Sequence, residues 1–216
     1  MRPLDILLAV RQELLRRGLR SVIETQSNWT VVAEAATGRE AVQKTLSLRP
    51  ALVVMEVALP ELNGVDATRQ ILRSSPQTEI LIVSPQESDH LVREVLAAGA
   101  RGFLLMSDAA RDLIAAAEAL SHHRLFLTRR VSETVLGGYL NCRPVEEASP
   151  HTCLSCRERE VMQLVAEGKS SKQVGHILRI SLKTVEAHRS NVRKKLGLGS
   201  LSELVRYAVR NQIVDI

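Results

Sequence analysis

The most restrictive feature of the sequence is the regular alternation of short apolar runs with amphipathic segments across residues 4–121. The apolar runs are rich in β-branched residues, as buried strands are, whereas the segments between them repeat apolar residues at helical spacing. Strands that alternate with helices form a parallel sheet with helices on both faces. The predicted strands are Leu4–Ala9, Thr30–Ala35, Ala51–Met55, Glu79–Val83 and Gly102–Leu105.

Helix-start signals lie between these strands. Thr37 and Glu40 have the spacing of a capping box, and Ser107 or Asp108 can cap a last helix that ends near Ser121. We therefore expect an α/β domain of the flavodoxin-like, doubly wound kind with a five-stranded parallel sheet. Such domains place their functional crevice at the C-terminal ends of the strands.

From Leu154 to Leu196 the sequence predicts a helix-turn-helix. Ser155 and Glu158 have the spacing of a capping box at the start of a first short helix. A second short helix and a long basic helix follow, on either side of a tight turn. Their predicted N-caps are Ser170 or Ser171 for the second helix and Ser181 for the third.

The basic helix has two distinct faces. Val185, Val192 and Leu196 lie close to one face and should pack inward. The other face could enter a DNA groove, where basic residues bind phosphates and fix register, while Glu186, Ala187 and Ser190 could contact base edges. The predicted DNA contacts are Lys183, Thr184, Glu186, Ala187, Arg189, Ser190, Arg193, Lys194 and Lys195.

The net positive charge of the chain arises from this C-terminal region. Residues 151–216 contain 12 Lys or Arg against 6 Asp or Glu, whereas residues 1–150 contain 17 against 18. A general solvated surface would spread its charge over the whole chain, so this asymmetry favours a DNA-binding domain attached to a nearly neutral one.

The stretch LSCREREVMQLVAEGKSSKQVGHILRISLKTVEAHRSNVRKKLGL resembles the helix-turn-helix of the LuxR/NarL (NarL/FixJ) family. The segments EAATGREAVQK, RPALVVMEVALPELNGVDATR and AAGARGFLL resemble a response-regulator receiver domain. The resemblance implies a receiver domain at 1–122, a helical linker and flexible tether at 123–150, and an all-α four-helix DNA-binding domain at 151–216. It also implies a transcription regulator that binds double-stranded DNA at a promoter or operator whose sequence is an inverted repeat.

The resemblance further implies that the last helix, near residues 202–211, mediates formation of a homodimer. Leu201, Leu204, Val205 and Ala208 form an i, i+3, i+4, i+7 stripe that fits this role. The same stripe would equally serve the core of the domain, and the sequence leaves both possibilities open.

The receiver departs from its family at the phosphorylation pocket. The resemblance implies two acidic residues that hold magnesium, an aspartate that is phosphorylated, a hydroxyl, a lysine and an aromatic switch residue. In this chain these positions are occupied by Val10 and Arg11, Glu56, Ser84, Met106 and Phe103, respectively.

Magnesium prefers octahedral oxygen ligands with carboxylate help, which Val10 and Arg11 do not offer. We therefore expect no metal, no cofactor and no phosphorylation of Glu56, and we hypothesise that the Arg11 guanidinium pairs with Glu56. Three outcomes stay open: Glu56 imitates the phosphorylated state and draws in Ser84, Arg11 sequesters Glu56, or both side chains are simply solvated.

Two rival functions remain. The degenerate receiver could bind a partner protein or ligand, or Cys142, Cys153 and Cys156, together with His151, could form a redox or metal sensor. No Gly-rich phosphate loop or nucleophile–base pair is evident, so we expect no enzyme and no catalytic residues. The apolar run Leu4–Val10 is too short to span a membrane, and we expect a cytoplasmic protein with reduced thiols.

Overall fold

The structure is a computed structural model, and it describes residues 3–86, 88–128, 131–132 and 154–214. The chain divides into two compact units, Met1–Cys142 and Arg143–Ile216. Within the described ranges, no helix combines the length and apolar character that crossing a membrane requires.

The first unit alternates strands and helices in the predicted order. Its strands are β1 (Leu4–Ala9), β2 (Trp29–Ala35), β3 (Leu52–Glu56), β4 (Glu79–Ser84), β5 (Gly102–Leu105) and β6 (Phe126–Leu127). Its helices are α1 (Glu13–Ile23), α2 (Gly38–Leu48), α3 (Gly64–Ser74), α4 (Asp89–Ala97) and α5 (Ala109–Ser121).

The strands form one parallel sheet with the order β2-β1-β3-β4-β5-β6. Alternate residues of the central strands point to opposite faces, so Leu7 and Val53 belong to one apolar layer and Ile6 and Val54 to the other. Both layers are covered by helices, which confirms the doubly wound parallel fold. The order reverses direction at β1, and the functional crevice of such a sheet lies at this switch point.

The prediction of five strands is wrong, because the sheet has a sixth. After α5 the chain turns back and pairs with the edge of β5, with Phe126 beside Gly102 and Leu127 beside Phe103. A two-residue strand is too short to show periodicity in the sequence. The sheet therefore extends beyond residue 122, the predicted end of the domain, and Val131 is also buried in its core.

The predicted N-cap residues of α2 and α5 are correct in position, but only the side chain of Thr37 makes a capping hydrogen bond. The Thr37 hydroxyl accepts the Glu40 N–H at 3.2 Å, as its spacing predicts. Asp108 is the N-cap residue of α5, but among the described residues its carboxylate makes no capping hydrogen bond; it instead accepts from Arg111 at 3.2 Å. The main chain of Asp108 is in the right-handed helical region (φ −99°, ψ −7°) and not in the extended conformation from which an N-cap side chain reaches the first helical amides.

Within residues 154–214 the second unit has four helices, as expected, and the caps of the first three match the predictions. The helices are α6 (Cys156–Ala166), α7 (Ser171–Leu178), α8 (Leu182–Leu196) and α9 (Leu201–Arg210). Ser155 and Ser170 cap α6 and α7 in complete capping boxes, and Ser181 caps α8. Of the two candidate caps for the second helix, the structure selects Ser170 and leaves Ser171 as the first helical residue.

The helices of the second unit enclose a separate aliphatic core. Val161 of α6, Val174 of α7 and Val185 of α8 are fully buried in it. Between α7 and α8, Arg179 adopts a left-handed conformation with φ 54°, and the Ile180 N–H donates to the Gly175 carbonyl at 3.0 Å. This turn sets α8 across α7, which is the helix-turn-helix arrangement.

The predicted connection between the units lies largely outside the described residues. The helical linker was expected at residues 128–140 and the tether at 141–150, and only Thr128, Val131 and Ser132 of these stretches fall within the described ranges. The linker and tether therefore stay predictions.

Candidate functional site

The C-terminal ends of β1, β3 and β4 bring the predicted pocket residues together at one edge of the sheet. Glu56, the last residue of β3, is only 4% exposed. The main-chain N–H of Arg11, which follows β1, donates to Oε2 of Glu56 at 2.9 Å. The alternative in which Glu56 is a solvated rim carboxylate is therefore wrong, while the predicted pairing through the Arg11 guanidinium stays a prediction.

Ser84, at the end of β4, is fully buried, and its hydroxyl is engaged by the main chain of Gln86. The hydroxyl donates to the main-chain carbonyl of Gln86 at 2.5 Å and accepts the Gln86 N–H at 3.3 Å. Both bonds are local, so Ser84 closes the turn that follows its own strand. Within the described chain, it makes no hydrogen bond to the Glu56 carboxylate, as it would in the alternative in which Glu56 draws in Ser84.

The two remaining pocket positions have apolar surroundings. Phe103 is fully buried on β5 and belongs to the core layer that also contains Met55 and Ile82. Met106, where the family has a lysine, is half-buried and packs against the opposite layer. Neither side chain offers a positive charge to the pocket.

Three charged side chains that sequence analysis missed, Arg16, Arg20 and Glu34, hold the same edge of the sheet. Nη1 of Arg16, on α1, donates to the Val10 carbonyl at 2.7 Å, and Nε of Arg16 donates to Oε2 of Glu34 at 2.8 Å. Arg20 adds a hydrogen bond to the other oxygen of Glu34 at 2.9 Å. A glutamate within the otherwise apolar β2 was the signal that could have revealed this cluster.

The Arg16–Glu34 pair is electrostatically tuned. Hydrogen bonds from Arg16 and then Arg20 hold the pKa of Glu34 below its ordinary value, although partial burial opposes the shift. Glu34 therefore stays ionised at neutral pH. Its negative charge balances that of Arg16 and holds the guanidinium in place to donate to the Val10 carbonyl after β1.

The pocket does not fit a magnesium ion. The ion takes octahedral oxygen ligands and usually one or two carboxylates. Val10 is a fully buried aliphatic residue, and Arg11 adds a positive charge beside it. The carboxylate oxygen of Glu56 that faces Arg11 already accepts a main-chain hydrogen bond.

The second candidate site is the surface of α8. Val185 and Val192 are fully buried and Leu196 is half-buried, which confirms the predicted inward face. The opposite face is exposed over more than three turns and combines three basic residues with small and hydroxyl side chains. Its exposed members are Lys183, Thr184, Glu186, Ala187, Ser190, Arg193 and Lys194.

Two of the basic side chains predicted to contact DNA are engaged within the protein. Nζ of Lys195, an otherwise exposed residue, lies 2.7 Å from Oε2 of the buried Glu158 on α6. Nη1 of Arg189, which is half-buried, donates to Glu186 at 3.1 Å and to Ser171 at 2.5 Å. Lys195 thus links α8 to α6, and Arg189 links α8 to α7.

The pKa values of the two glutamates involved are lowered. Burial raises the pKa of Glu158, but hydrogen bonds from Lys195 and Ser155 outweigh it and leave the value below the ordinary one. The Ser171 hydroxyl, followed by the charge of Arg189, holds the pKa of Glu186 below its ordinary value. Both carboxylates are therefore anionic at neutral pH.

The predicted dimerisation stripe on α9 divides between core and surface. Leu204 and Ala208 are buried in the core of the second unit. Leu201 is 48% exposed and Val205 is half-buried. The stripe thus serves the core with two of its residues and presents the other two to solvent.

The cysteine-based sensor receives no support from the described residues. Cys142, Cys153 and His151 lie outside them, and Cys156 is half-buried at the start of α6. No group of three or more His, Cys, Asp or Glu side chains within the described part of the chain could hold a metal ion.

Comparison with known proteins adds two family matches. Residues 6–118 match the model described as "Response regulator receiver domain", and residues 152–208 match the model described as "Bacterial regulatory proteins, luxR family". The two matches correspond to the two structural units.

Several known proteins are similar along nearly the whole chain. The transcriptional regulatory protein LiaR of Bacillus subtilis is 33% identical, covering 97% of this chain and 99% of that protein. The oxygen regulatory protein NreC of Staphylococcus epidermidis is 31% identical, covering 98% and 100%, respectively. The crystal structure of a LuxR-family two-component response regulator from Aurantimonas sp. superposes with a TM-score of 0.61 and 28% identity, covering 63% of this chain and 98% of that chain.

Proposed function

Because this chain belongs to the LuxR/NarL family of DNA-binding response regulators, we propose that it regulates transcription from operators that it selects by sequence, and that its receiver domain works without aspartyl phosphorylation. Binding to DNA and regulation of transcription follow from the family. Sequence selection and independence from phosphorylation rest on the chemistry of particular residues.

The observation that carries the second part is the state of Glu56. Phosphoryl transfer requires positive charge, from a metal ion or lysine, to stabilise the charge that develops on the phosphoryl group. The metal-ligand positions are Val10 and Arg11, the lysine position is Met106, and the acceptor position is a buried glutamate tied to the Arg11 main chain at 2.9 Å. Each of these features works against transfer.

Of the alternatives for Glu56, the contacts favour a locked receiver over an imitation of the phosphorylated state. An imitation would need the Ser84 hydroxyl to turn towards Glu56. Ser84 is instead held by two main-chain hydrogen bonds to Gln86. We therefore propose that the receiver remains in one conformation and acts as a fixed scaffold for the DNA-binding domain.

On α8 we assign phosphate contacts to Lys183, Arg193 and Lys194, with Thr184 beside them. These side chains are exposed and carry charge or a hydroxyl towards solvent. We assign base-edge contacts to Glu186, Ala187 and Ser190, and Lys195 chiefly to the tie with Glu158.

We further propose that the protein binds an inverted repeat as a homodimer. The exposed Leu201 and the half-buried Val205 supply apolar surface on α9, and two copies would place their α8 helices on half-sites about one helical turn apart. Light scattering with and without an inverted-repeat duplex measures this association, and a strict one-to-one complex on such a duplex would contradict it.

The deciding experiment is DNA selection from a random-sequence library by the full chain, with and without acetyl phosphate or beryllofluoride plus magnesium. We expect one selected motif and unchanged affinity in both conditions. A positive control restores the family's residues through Val10→Asp, Arg11→Asp, Glu56→Asp and Met106→Lys, and this variant should gain a response to the donor. A response of the natural chain itself would contradict the locked receiver, and a lack of any selected motif would contradict sequence-specific binding.

A further inference from the structure

A closed network of three side chains joins the two helices of the helix-turn-helix. Ser171 is the first residue of α7, whereas Glu186 and Arg189 lie one turn apart on α8. The Ser171 hydroxyl donates to Oε1 of Glu186 at 2.5 Å. Nη1 of Arg189 donates both to the Ser171 hydroxyl at 2.5 Å and to Oε1 of Glu186 at 3.1 Å.

The network engages one carboxylate oxygen of Glu186, Oε1. Within the described ranges, Oε2 of Glu186 accepts no hydrogen bond. The Glu186 side chain is 56% exposed, even though Ser171 and Arg189 fix its position. An exposed glutamate ordinarily samples several rotamers, so this one loses less conformational freedom when a ligand binds to it.

Glu186 lies on the face of α8 that we assign to base contacts, beside Ala187 and one turn before Ser190, and its Oε2 is available to accept a hydrogen bond from a ligand. A carboxylate oxygen accepts a hydrogen bond from the N4 amino group of cytosine in the major groove. An uncompensated carboxylate would be repelled by the DNA phosphates, and the positive charge of Arg189, 3.1 Å away, offsets that repulsion.

We infer that Ser171 and Arg189 are positioning residues that hold Glu186 for the recognition of a cytosine in each half-site. This inference rests on the proposed sequence-specific binding of DNA. It gives Arg189 a different role from Lys183 and Lys194: its charge is directed at a carboxylate of its own helix, and its loss alters base preference more than general affinity. It also makes Ser171, which is not on the recognition helix, a determinant of specificity.

The test is selection from a random-sequence library by the full chain and by the variants Glu186→Ala, Ser171→Ala and Arg189→Gln at one salt concentration. Glu186→Ala identifies the position that Glu186 recognises, since the cytosine preference there disappears. At that position we expect the natural chain to prefer cytosine by roughly tenfold. Ser171→Ala and Arg189→Gln should each reduce the preference to about twofold or less, without altering the preference at the other positions.

Three matched variants separate positioning from a general effect on the fold. Ser171→Thr keeps the hydroxyl and should keep the preference. Ser202→Ala and Arg206→Gln, which change an exposed serine and an exposed arginine of α9, should leave the preference at this position unchanged. Thermal unfolding of each variant checks that the folded fraction is the same in all selections.

A double-mutant cycle gives the sharpest result. If Ser171 acts through Glu186, Ser171→Ala has no further effect on base preference in the Glu186→Ala background. Additive effects of the two substitutions, or a fall in melting temperature with the preference intact, would overturn the inference and leave a plain helix–helix contact. A motif that Glu186→Ala does not change would overturn it as well, while sequence-specific binding would stand. If the natural chain selects no motif, both proposals fail.

Discussion

At the edge of the receiver sheet that carries the pocket, single side chains stabilise the fold by hydrogen bonds to main-chain groups. Arg16 is the clearest case, because its guanidinium joins the Val10 carbonyl after β1 to Glu34 on β2, and its side chain is only 14% exposed. Hydrogen bonds to charged groups in such protected positions contribute more to stability than exposed ion pairs do. The neighbouring Arg17 offers a direct comparison, since it pairs with Glu13 at the surface.

We expect Arg16→Gln to lower the free energy of unfolding of the receiver by about 1 to 3 kcal/mol, because it removes charged hydrogen bonds at both ends of the contact. Arg17→Gln should cost less than about 0.5 kcal/mol. The chain has one tryptophan, Trp29, buried at the start of β2, so urea unfolding followed by tryptophan fluorescence reports on this unit alone. Equal losses for the two variants would contradict the role given to Arg16.

In the DNA-binding unit, Glu158 is the protected charged residue that links two elements, as Arg16 is in the receiver. It caps α6 through the Ser155 N–H at 2.7 Å and pairs with Lys195 of α8 at 2.7 Å. Its pKa is lowered in the folded protein. A group with a lowered pKa stabilises the fold above its unfolded pKa, and that stabilisation is lost as the pH falls through the folded value.

We therefore expect the stability of this unit to fall as the pH drops below roughly 4.3, the ordinary pKa of a glutamate. Glu158→Gln keeps the length of the side chain and can still accept from Ser155, but loses its charge. At pH 7 it should cost about 1 kcal/mol, a difference that disappears in acid. Hydrogen exchange of α6 amides, measured from pH 3 to pH 7, checks this; parallel pH profiles for the two proteins would contradict it.

Among whole elements, α2 is placed by a close approach of its first residue to the loop that follows β3. The Gly38 N–H donates to the Pro60 carbonyl at 3.1 Å. A Cβ on Gly38 would lie 1.8 Å from the Leu62 carbonyl oxygen, a main-chain atom that cannot rotate away. The start of α2 and the loop after Glu56 are thus fitted to each other.

Gly38→Ala should lower the free energy of unfolding of the receiver by about 2 kcal/mol or more, because the overlap outweighs the gain in helix propensity. Gly18→Ala, in α1, is the matched control. A Cβ there has nothing within 4 Å, so the substitution should stabilise the unit by about 0.5 to 1 kcal/mol. Tryptophan fluorescence during urea unfolding measures both, and a neutral Gly38→Ala variant would contradict the close approach.

The sequence predicts those elements whose signal is local. The periodicity of the strands and the serine caps of α6, α7 and α8 were correct because a few neighbouring residues determine them. The features that were missed depend on residues distant in sequence. Ser171 meets Glu186 across two helices, Arg16 meets Glu34 across a helix and a strand, and β6 exists only because Phe126 and Leu127 reach the edge of β5.

Across the whole molecule, the DNA-binding residues form the positive part of a chain whose other half is nearly neutral. The 12 basic residues of residues 151–216 face only 6 acidic ones. Exposed Lys183 and Lys194 stand on the proposed DNA face, whereas the exposed arginine Arg17 lies in the other unit. The salt dependence of DNA affinity should therefore come from the basic residues of the C-terminal unit alone.

We expect the logarithm of the binding constant to fall linearly with the logarithm of the salt concentration, with a slope of about −0.9 per phosphate contact. Lys194→Ala should make the slope less steep by roughly one for each protomer and weaken binding to all sequences alike. Arg17→Gln should leave the slope unchanged. Fluorescence anisotropy titrations at salt concentrations from about 50 to about 300 mM measure the slope for each variant. A slope unaffected by Lys194→Ala would remove that residue from the phosphate contacts.

The sixth strand also bears on how the two halves of the protein can be separated. Phe126 and Leu127 cover the main chain of Gly102 and Phe103, and Val131 fills part of the core beyond them. A receiver cut at residue 122 would bare a row of unpaired N–H and C=O groups, which are ready to pair with another polypeptide. Such a fragment should aggregate, whereas one that ends after residue 132 should stay monodisperse at the same concentration. Phe126 and Leu127, which follow α5 on the way to the DNA-binding domain, thereby protect the receiver from self-association through the edge of β5.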